Sequence, residues 1–354
     1  MGRLIVADLD EPDASPGARV SDPALRVALD LDGSLESLGN SMDDLADALA
    51  ATGGCDLVRF RSTSAPGSGE AHLAGRWLFQ VAWRQGRGRA IDTMLPPVDL
   101  VHVAGLATPP TRRVPLVISV DDLRPLRGES RTHQRVAQLR RAVAHGATLV
   151  ASSRSASHEV LDVLDVERHQ VVVVPPAVPT VAPTLDGRDL VVNVTGALER
   201  LLDVAEALVE LGQRTGSQVI VLASDEAGAV VRARASAMRV RSRRDARSAL
   251  AGARVVLHLS DGARFPSFAI AALAAGVPTV ARSTAINREL LGGAAVLVER
   301  NEDVVGALEE IMAREAHRAV LISAGRDRAV DFAPVTAAKA YLDLYRGVVQ
   351  GWSA

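Results

Sequence analysis

Residues 262 to 300 read GARFPSFAIAALAAGVPTVARSTAINRELLGGAAVLVER. A Pro-containing turn at Phe265-Pro266-Ser267 opens a run of small apolar residues, Phe268 to Ala275, which a Gly276-Val277-Pro278 turn stops. Such a run predicts a short, closely packed helix. An apolar run follows at Val277 to Ala281, then a polar turn at Arg282 to Asn287, then a second apolar run at Ala294 to Val298. This alternation of short helix and strand predicts one layer of a parallel α/β sheet.

Working outward, the same pattern fills the second half of the chain. Strands are predicted at Leu190 to Val194, Gln218 to Leu222 and Val255 to Leu259, with helices at Arg200 to Gly212, Asp245 to Ala251 and Glu302 to Ala313. Pro175, Pro176, Pro179 and Pro183 form a stiff extended segment of the kind that joins domains. Before it, near-continuous apolar runs at Leu25 to Asp30, Asp56 to Phe60, Asp99 to Val103, Pro115 to Val120, Thr148 to Ala151 and Gln170 to Val174 predict strands buried on both faces. Helical patterns lie between them at Met42 to Ala51, His72 to Trp83, Gln134 to His145 and Ser155 to Val163. The expected organisation is a flexible leader over 1–23, a first Rossmann-like domain over 24–178, a linker over 179–188, a second over 189–333, and an amphipathic helix and tail over 334–354. Its apolar face is Ala338, Tyr341, Leu342, Leu344 and Tyr345.

Composition narrows the class. With 354 residues, 48% hydrophobic and 23% charged, the chain fits a soluble two-domain globule. A net charge of −2 gives no global attraction to nucleic acid, and none is expected as a partner. Cys55 is the only cysteine, which excludes an intramolecular disulfide and a cysteine-rich metal site and points to a reducing, cytoplasmic address. No stretch reaches the ~18 apolar residues of a membrane span. Lys339 is the only lysine, an arginine bias expected of a GC-rich bacterial genome.

The opening stretch is similar to the donor-binding segment of glycosyltransferase family four, in which two glutamates with seven residues between them precede Ala-x-Gly-x-Pro-x-Val-Ala, a Pro-Glu pair and Gly-hydrophobic-Leu-Val. The skeleton stands here as Phe265, Ala274, Gly276, Pro278, Val280, Ala281, Glu289, Leu290, Leu297 and Val298. The positions matching the two glutamates, which in the family hold the donor sugar and ribose, are Ala263 and Ala271. Upstream, Arg113 to Leu126, Ala151-Ser152-Ser153-Arg154-Ser155 and Val173 to Val178 resemble further family segments, with Asp121 where the family has histidine. Gly39 matches one glycine of the family's acceptor-side loop, where Ser37 and Asn40 replace the other glycine and an arginine. Val194-Thr195-Gly196-Ala197-Leu198 looks like the family's diphosphate loop, with Ala197 in place of its arginine and no lysine after it.

The resemblance implies the GT-B fold: two doubly wound Rossmann-like domains facing a cleft, with the terminal helix crossing back to the first. It also implies transfer of a sugar from a nucleotide sugar to an acceptor, with retention and without a metal ion or other cofactor. The diphosphate leaving group requires fixed cations, and Arg200 or Arg264 would replace the missing pair. The candidate site is then Asp121 as the catalytic residue, Gly196, Arg200, Arg264, Phe265, Ser267 and Glu289 around the donor, and Gly39, Asn40 and Asp122 on the acceptor side. With the glutamates gone, the alternative is a non-catalytic relative acting as a partner or ligand-binding module.

Other signals carry blander readings. Asp30-Leu31-Asp32-Gly33-Ser34 fits the nucleophile segment of haloacid-dehalogenase-like phosphatases, with Asp121-Asp122 as the later acidic pair, but a strand-end turn explains it as well. The histidines show no i, i+4 pair and no cysteine partner, so no metal site is expected; His102 and His258 read as buried structural histidines. Of Trp77 and Trp83, which do not share a helix face, one is expected in the core. The arginine run Arg232 to Arg247 reads as a solvated face; its Arg239 to Arg247 part is the candidate for a peripheral contact with anionic lipid at the inner membrane face.

Overall fold

A computed structural model of the chain describes residues 24–32, 41–62, 67, 69–71, 73, 82–83, 87–104, 108–120, 132–179, 181–182 and 187–352. Gly39, Asn40, Asp121, Asp122 and Trp77 lie outside the described residues.

The apolar runs form two parallel sheets. The first contains β1 (Arg26–Asp30), β2 (Asp56–Phe60), β3 (Leu100–Ala104), β4 (Leu116–Val120), β5 (Thr148–Ala151) and β6 (Val171–Val173) in the order β2-β1-β3-β4-β5-β6. The second contains β7 (Asp189–Thr195), β8 (Val219–Ala223), β9 (Arg239–Ser242), β10 (Ala253–Ser260), β11 (Thr279–Arg282) and β12 (Val296–Val298) in the order β12-β11-β10-β7-β8-β9. Every pairing between these strands is parallel. This is the GT-B arrangement expected from the sequence.

Alternate strand residues enter different cores, which is why the runs are apolar throughout rather than every second residue. In β1, Val27 and Leu29 share a core with α1 (Ser41–Thr52), whereas Ala28 belongs to the core that includes α2 (Thr132–Ala144) and α3 (Arg154–Leu164). In the second sheet, Leu190 and Val192 face α4 (Leu198–Thr215). Val191 and Val256 face α7 (Ser267–Ala274) on the other side. Every residue of α7 from Ser267 to Leu273 is buried, and Ala269, Ala271 and Ala272 let sheet and neighbouring helices approach it at once. Trp83 is the core tryptophan, wholly buried with its indole N–H donating to the Arg89 carbonyl at 3.0 Å.

Several elements differ from the sequence reading. The polar turn at Arg282 to Asn287 contains the start of a helix, α8 (Ala285–Leu291), capped by the Thr284 hydroxyl, which accepts from the Asn287 amide at 3.2 Å. The arginine run is not a single solvated face: it forms the end of α5 (Asp225–Arg234), edge strand β9 and a 3₁₀ turn before α6 (Ala246–Ala251). β9 is too charged to read as a strand because it lies at the sheet edge, where only one side requires pairing. After α9 (Asp303–Ala313) comes α10 (Glu315–Ala329), a largely polar helix that the sequence reading omits.

The terminal helix α11 (Pro334–Gly351) returns to the first domain. Its Ala337, Ala338, Tyr341, Leu342 and Tyr345 pack with Leu29, Leu45 and Leu49. Tyr345 is anchored by its hydroxyl, 2.7 Å from His102 Nδ1, while His102 Nε2 lies 2.9 Å from the Ser119 hydroxyl. Burial pushes the His102 imidazole down to about 3, so it is a neutral structural ring, as expected.

Candidate functional site

In an open parallel sheet the ligand crevice forms where neighbouring strands send their connections in opposite directions. In the second sheet this point lies between β7 and β10, because β8 and β9 lie on one side of β7 and β10, β11 and β12 on the other. The two strands end in register, Thr195 opposite Ser260. Each is followed at once by a residue that lines a pocket of about 410 Å³: Gly196 after β7 and Asp261 after β10.

Gly196 has φ of 70°, in the left-handed region, and a Cβ there would collide with the Asp261 carboxylate. Two constraints therefore require glycine. Asp261 Oδ1 accepts from the Ala263 amide at 2.9 Å, which folds the loop after β10 back on itself. Ala197 then leads into the 18-residue helix α4 without a side-chain cap, so the positive end of that helix sits on the pocket wall.

Two arginines complete the pocket. Arg200 is in the first turn of α4, its Nη1 3.5 Å from Asn301 Oδ1; Arg282 ends β11. Burial, and after it the positive charge of Arg200, hold the Arg282 guanidinium below the usual arginine range. Glu199 and Asp261 line the same pocket, yet among the described residues neither Arg200 nor Arg282 forms an ion pair with a carboxylate. Like charges gathered at a strand-end crevice are a destabilising arrangement that an anion would relieve. Beneath the pocket, Asn193 Nδ2 lies 3.1 Å from His258 Nδ1, and burial pushes the His258 ring down to about 4. His258 is thus a core histidine under the site.

Of the donor-side residues expected from the sequence, Gly196 and Arg200 meet in this pocket. Arg264, Phe265, Ser267 and Glu289 do not line it. Phe265 is buried edge-on against Phe332, with ring centres 5.8 Å apart, and Ser267 is buried as the first residue of α7. Arg264 is itself largely buried. Glu289, on α8, crosses the cleft: its carboxylate accepts from the amides of Arg154 and Ser155 and from the Ser155 hydroxyl, at 2.7, 2.8 and 2.8 Å, at the start of α3. Ala263 and Ala271 are both fully buried. Arg282 and Asp261 are the pocket residues that sequence reading missed; the signal available was only that each lies just after a predicted strand.

The first sheet has its own switch point, between β1 and β3, and Asp30 lies there. Its Oδ1 accepts from the amides of Asp32 and Ser62, each at 3.1 Å, and burial pushes its carboxyl up to about 7. A phosphatase nucleophile must reach its substrate, and Asp30 is wholly buried. It closes a strand-end turn, the blander of its two sequence readings. Among the described residues no cluster of His, Cys, Asp and Glu could hold a metal ion, and no helix is long and apolar enough to cross a membrane.

No protein-family model and no curated protein sequence matches the chain. Solved structures do. The chain is similar to sucrose-phosphate synthase from Thermosynechococcus elongatus, with a TM-score of 0.65 at 16% identity over 93% of this chain and 100% of that one. It is equally similar to WaaG, a glycosyltransferase involved in lipopolysaccharide biosynthesis, with a TM-score of 0.66 at 15% identity over 91% of this chain and 100% of that one. TarM gives a TM-score of 0.57 at 11% identity over 70% of this chain, which spans about half of TarM, 54%. At these identities the likeness is one of fold, and the fold is that of the GT-B glycosyltransferases.

Proposed function

We propose that the chain is a divergent relative of glycosyltransferase family four whose cleft binds the diphosphate of a nucleotide sugar. The observation that carries this reading is the pair Arg200 and Arg282, drawn together without carboxylate partners beside Gly196 and the open end of α4. Arg200 does the work of the family's lysine, and Arg282 supplies from β11 the second cation that Ala197 does not. Transfer by such a site is metal-independent and retaining, driven by donor positioning and by stabilisation of the departing diphosphate. In the first domain Asp121 is the candidate catalytic residue, and Asp122, Gly39 and Asn40 are the candidates for acceptor contacts.

The second reading is a binding protein without transferase activity. It is favoured by Ala263 and Ala271, whose methyl groups are sealed in the core where the family places sugar-binding and ribose-binding carboxylates. A peripheral contact of Arg239 to Arg247 with anionic lipid, at the inner face of the membrane, fits either reading.

The test is a thermal-shift screen of the whole chain against UDP, GDP and ADP and their sugars, followed by an assay for sugar release or transfer. Ligand at about a hundred times its Kd adds roughly 2.7 kcal/mol, an easily measured rise in Tm. A rise that Arg282→Met abolishes, with turnover of the sugar, supports transfer. The same rise without turnover supports the binding protein, and no rise at millimolar nucleotide refutes the diphosphate site.

A further inference from the structure

A second cavity lies at the far end of the first domain. Its walls include Leu116, the first residue of β4, and Ala147, immediately before β5, with Ala142 and His145 from the end of α2. It therefore sits at the N-terminal ends of the parallel strands, away from the interdomain cleft, which faces their C-terminal ends. Its volume is about 100 Å³.

The chemistry of the walls is divided. Trp83, Pro109, Leu116 and Ala147 make an apolar floor, all buried. The Trp83 ring is held in place by its hydrogen bond to the Arg89 carbonyl. Thr108, also on the wall, accepts from the buried guanidinium of Arg135 at 2.7 Å. Arg141 stands at the exposed rim. His145 beside it directs Nδ1 to the Arg141 carbonyl at 2.7 Å, so its Nε2 is the ring atom left for other contacts. Among the described residues no aspartate or glutamate lines the cavity and Arg141 has no ion-pair partner. An apolar floor below an exposed guanidinium selects a ligand that is apolar at one end and anionic at the other.

We propose that this cavity is a binding site for a small carboxylate with a compact apolar body, short-branched or aromatic, its hydrocarbon part against Leu116 and Ala147 in front of the buried Trp83 and its carboxylate at Arg141. The cavity excludes long chains by volume and gives cations no partner. It is independent of the reading of the cleft, since it shares no residue with the pocket of Arg200 and Arg282.

The experiment is a titration of the whole chain with benzoate, isovalerate and neutral benzyl alcohol, followed by tryptophan fluorescence and isothermal calorimetry. The expected result is saturable binding of at least one of the two acids, about tenfold tighter than benzyl alcohol, the worth of one charge-assisted contact of ~1.4 kcal/mol. Arg141→Ala, at an exposed position, abolishes the preference for the acid while leaving the Tm unchanged. Ala142→Leu fills the cavity and removes binding altogether; its Tm and circular dichroism show whether it has folded. The proposal is overturned if neither acid binds saturably, if the acids and the alcohol bind alike, or if a folded Ala142→Leu binds as well as the parent. An Arg141→Ala variant that keeps the acid preference overturns the assigned contact as well.

Discussion

Glu289 of the second domain and Ser155 of the first are joined twice across the cleft: the same carboxylate oxygen accepts from the Ser155 amide and from its hydroxyl, each at 2.8 Å. The other oxygen accepts from the Arg154 amide at 2.7 Å. The start of α3 thus receives its stabilising negative charge from the opposite domain. Arg328 holds the Glu289 backbone in turn, donating to the Glu289 and Leu290 carbonyls at 3.0 and 2.9 Å. Removing the carboxylate with Glu289→Ala should cost about 1–2 kcal/mol of stability and loosen the domains. Small-angle scattering checks the second part. An unchanged Tm together with an unchanged radius of gyration would show that this contact does not set the domain angle.

Arg282 should be a liability without ligand and a necessity with it. Burial and the Arg200 charge both disfavour its guanidinium. Arg282→Met should therefore leave stability unchanged or raise it by up to about 1 kcal/mol, the effect being partly screened by solvent. The same variant should lose the nucleotide-induced rise in Tm. If Arg282→Met were strongly destabilising without ligand, the guanidinium would be structural and the anion site would lose its main support.

The Gly196 and Asp261 pair can be separated by a double-mutant cycle. Gly196→Ala meets both a left-handed backbone, costing about 1–2 kcal/mol, and the Asp261 carboxylate. Adding Asp261→Ala removes the collision but not the backbone strain, so the double variant should be more stable than the sum of the single changes predicts. Strict additivity, read from denaturant midpoints, would mean that the two residues do not press on each other.

Asp30 and the buried histidines give opposite dependences on pH. The Asp30 carboxyl titrates near 7 when folded against 3.8 as a free side chain, so the folded state binds the extra proton and stability falls as pH rises from about 4 to 7. For His102 and His258 the folded values are about 3 and about 4 against 6.5, so their penalty appears as pH falls below about 6.5 and is complete below the folded values. Asp30→Asn should flatten the fall above pH 4, an effect on the order of a few kcal/mol. Urea midpoints of parent and variant between pH 4 and 8 decide it; parallel curves would show that Asp30 is ionised in the folded chain.

The repeated apolar runs were sufficient to read the inner strands because a strand covered on two faces is apolar at nearly every position, and Leu100–Ala104 and Leu116–Val120, buried throughout, lie within a residue of the runs that predict them. The reading failed where burial is one-sided or local. β9 pairs along one edge only and spends its residues on arginine, and α8 begins inside a polar turn because Thr284 caps it. The site divides in the same way. Gly196 and Arg200 were legible because they lie four residues apart at the junction of β7 and α4, where order along the chain is proximity in space. Phe265 stands on the skeleton of the donor-binding segment and Ser267 beside it, yet their side chains turn into the core, a matter of helix phase and packing that spacing does not reveal.

The sequence by itself determined the two successions of strand and helix, the amphipathic terminal helix and the absence of glutamates from the donor motif, because these depend on residue type and on local periodicity. Only the tertiary structure decided that Arg282 joins Arg200, that Asp261 lies over Gly196 and that Glu289 reaches across to α3. Those residues are brought together by the order of strands in the sheet and by the angle between domains, and both are set by the sum of many weak packing contacts distributed over the whole chain.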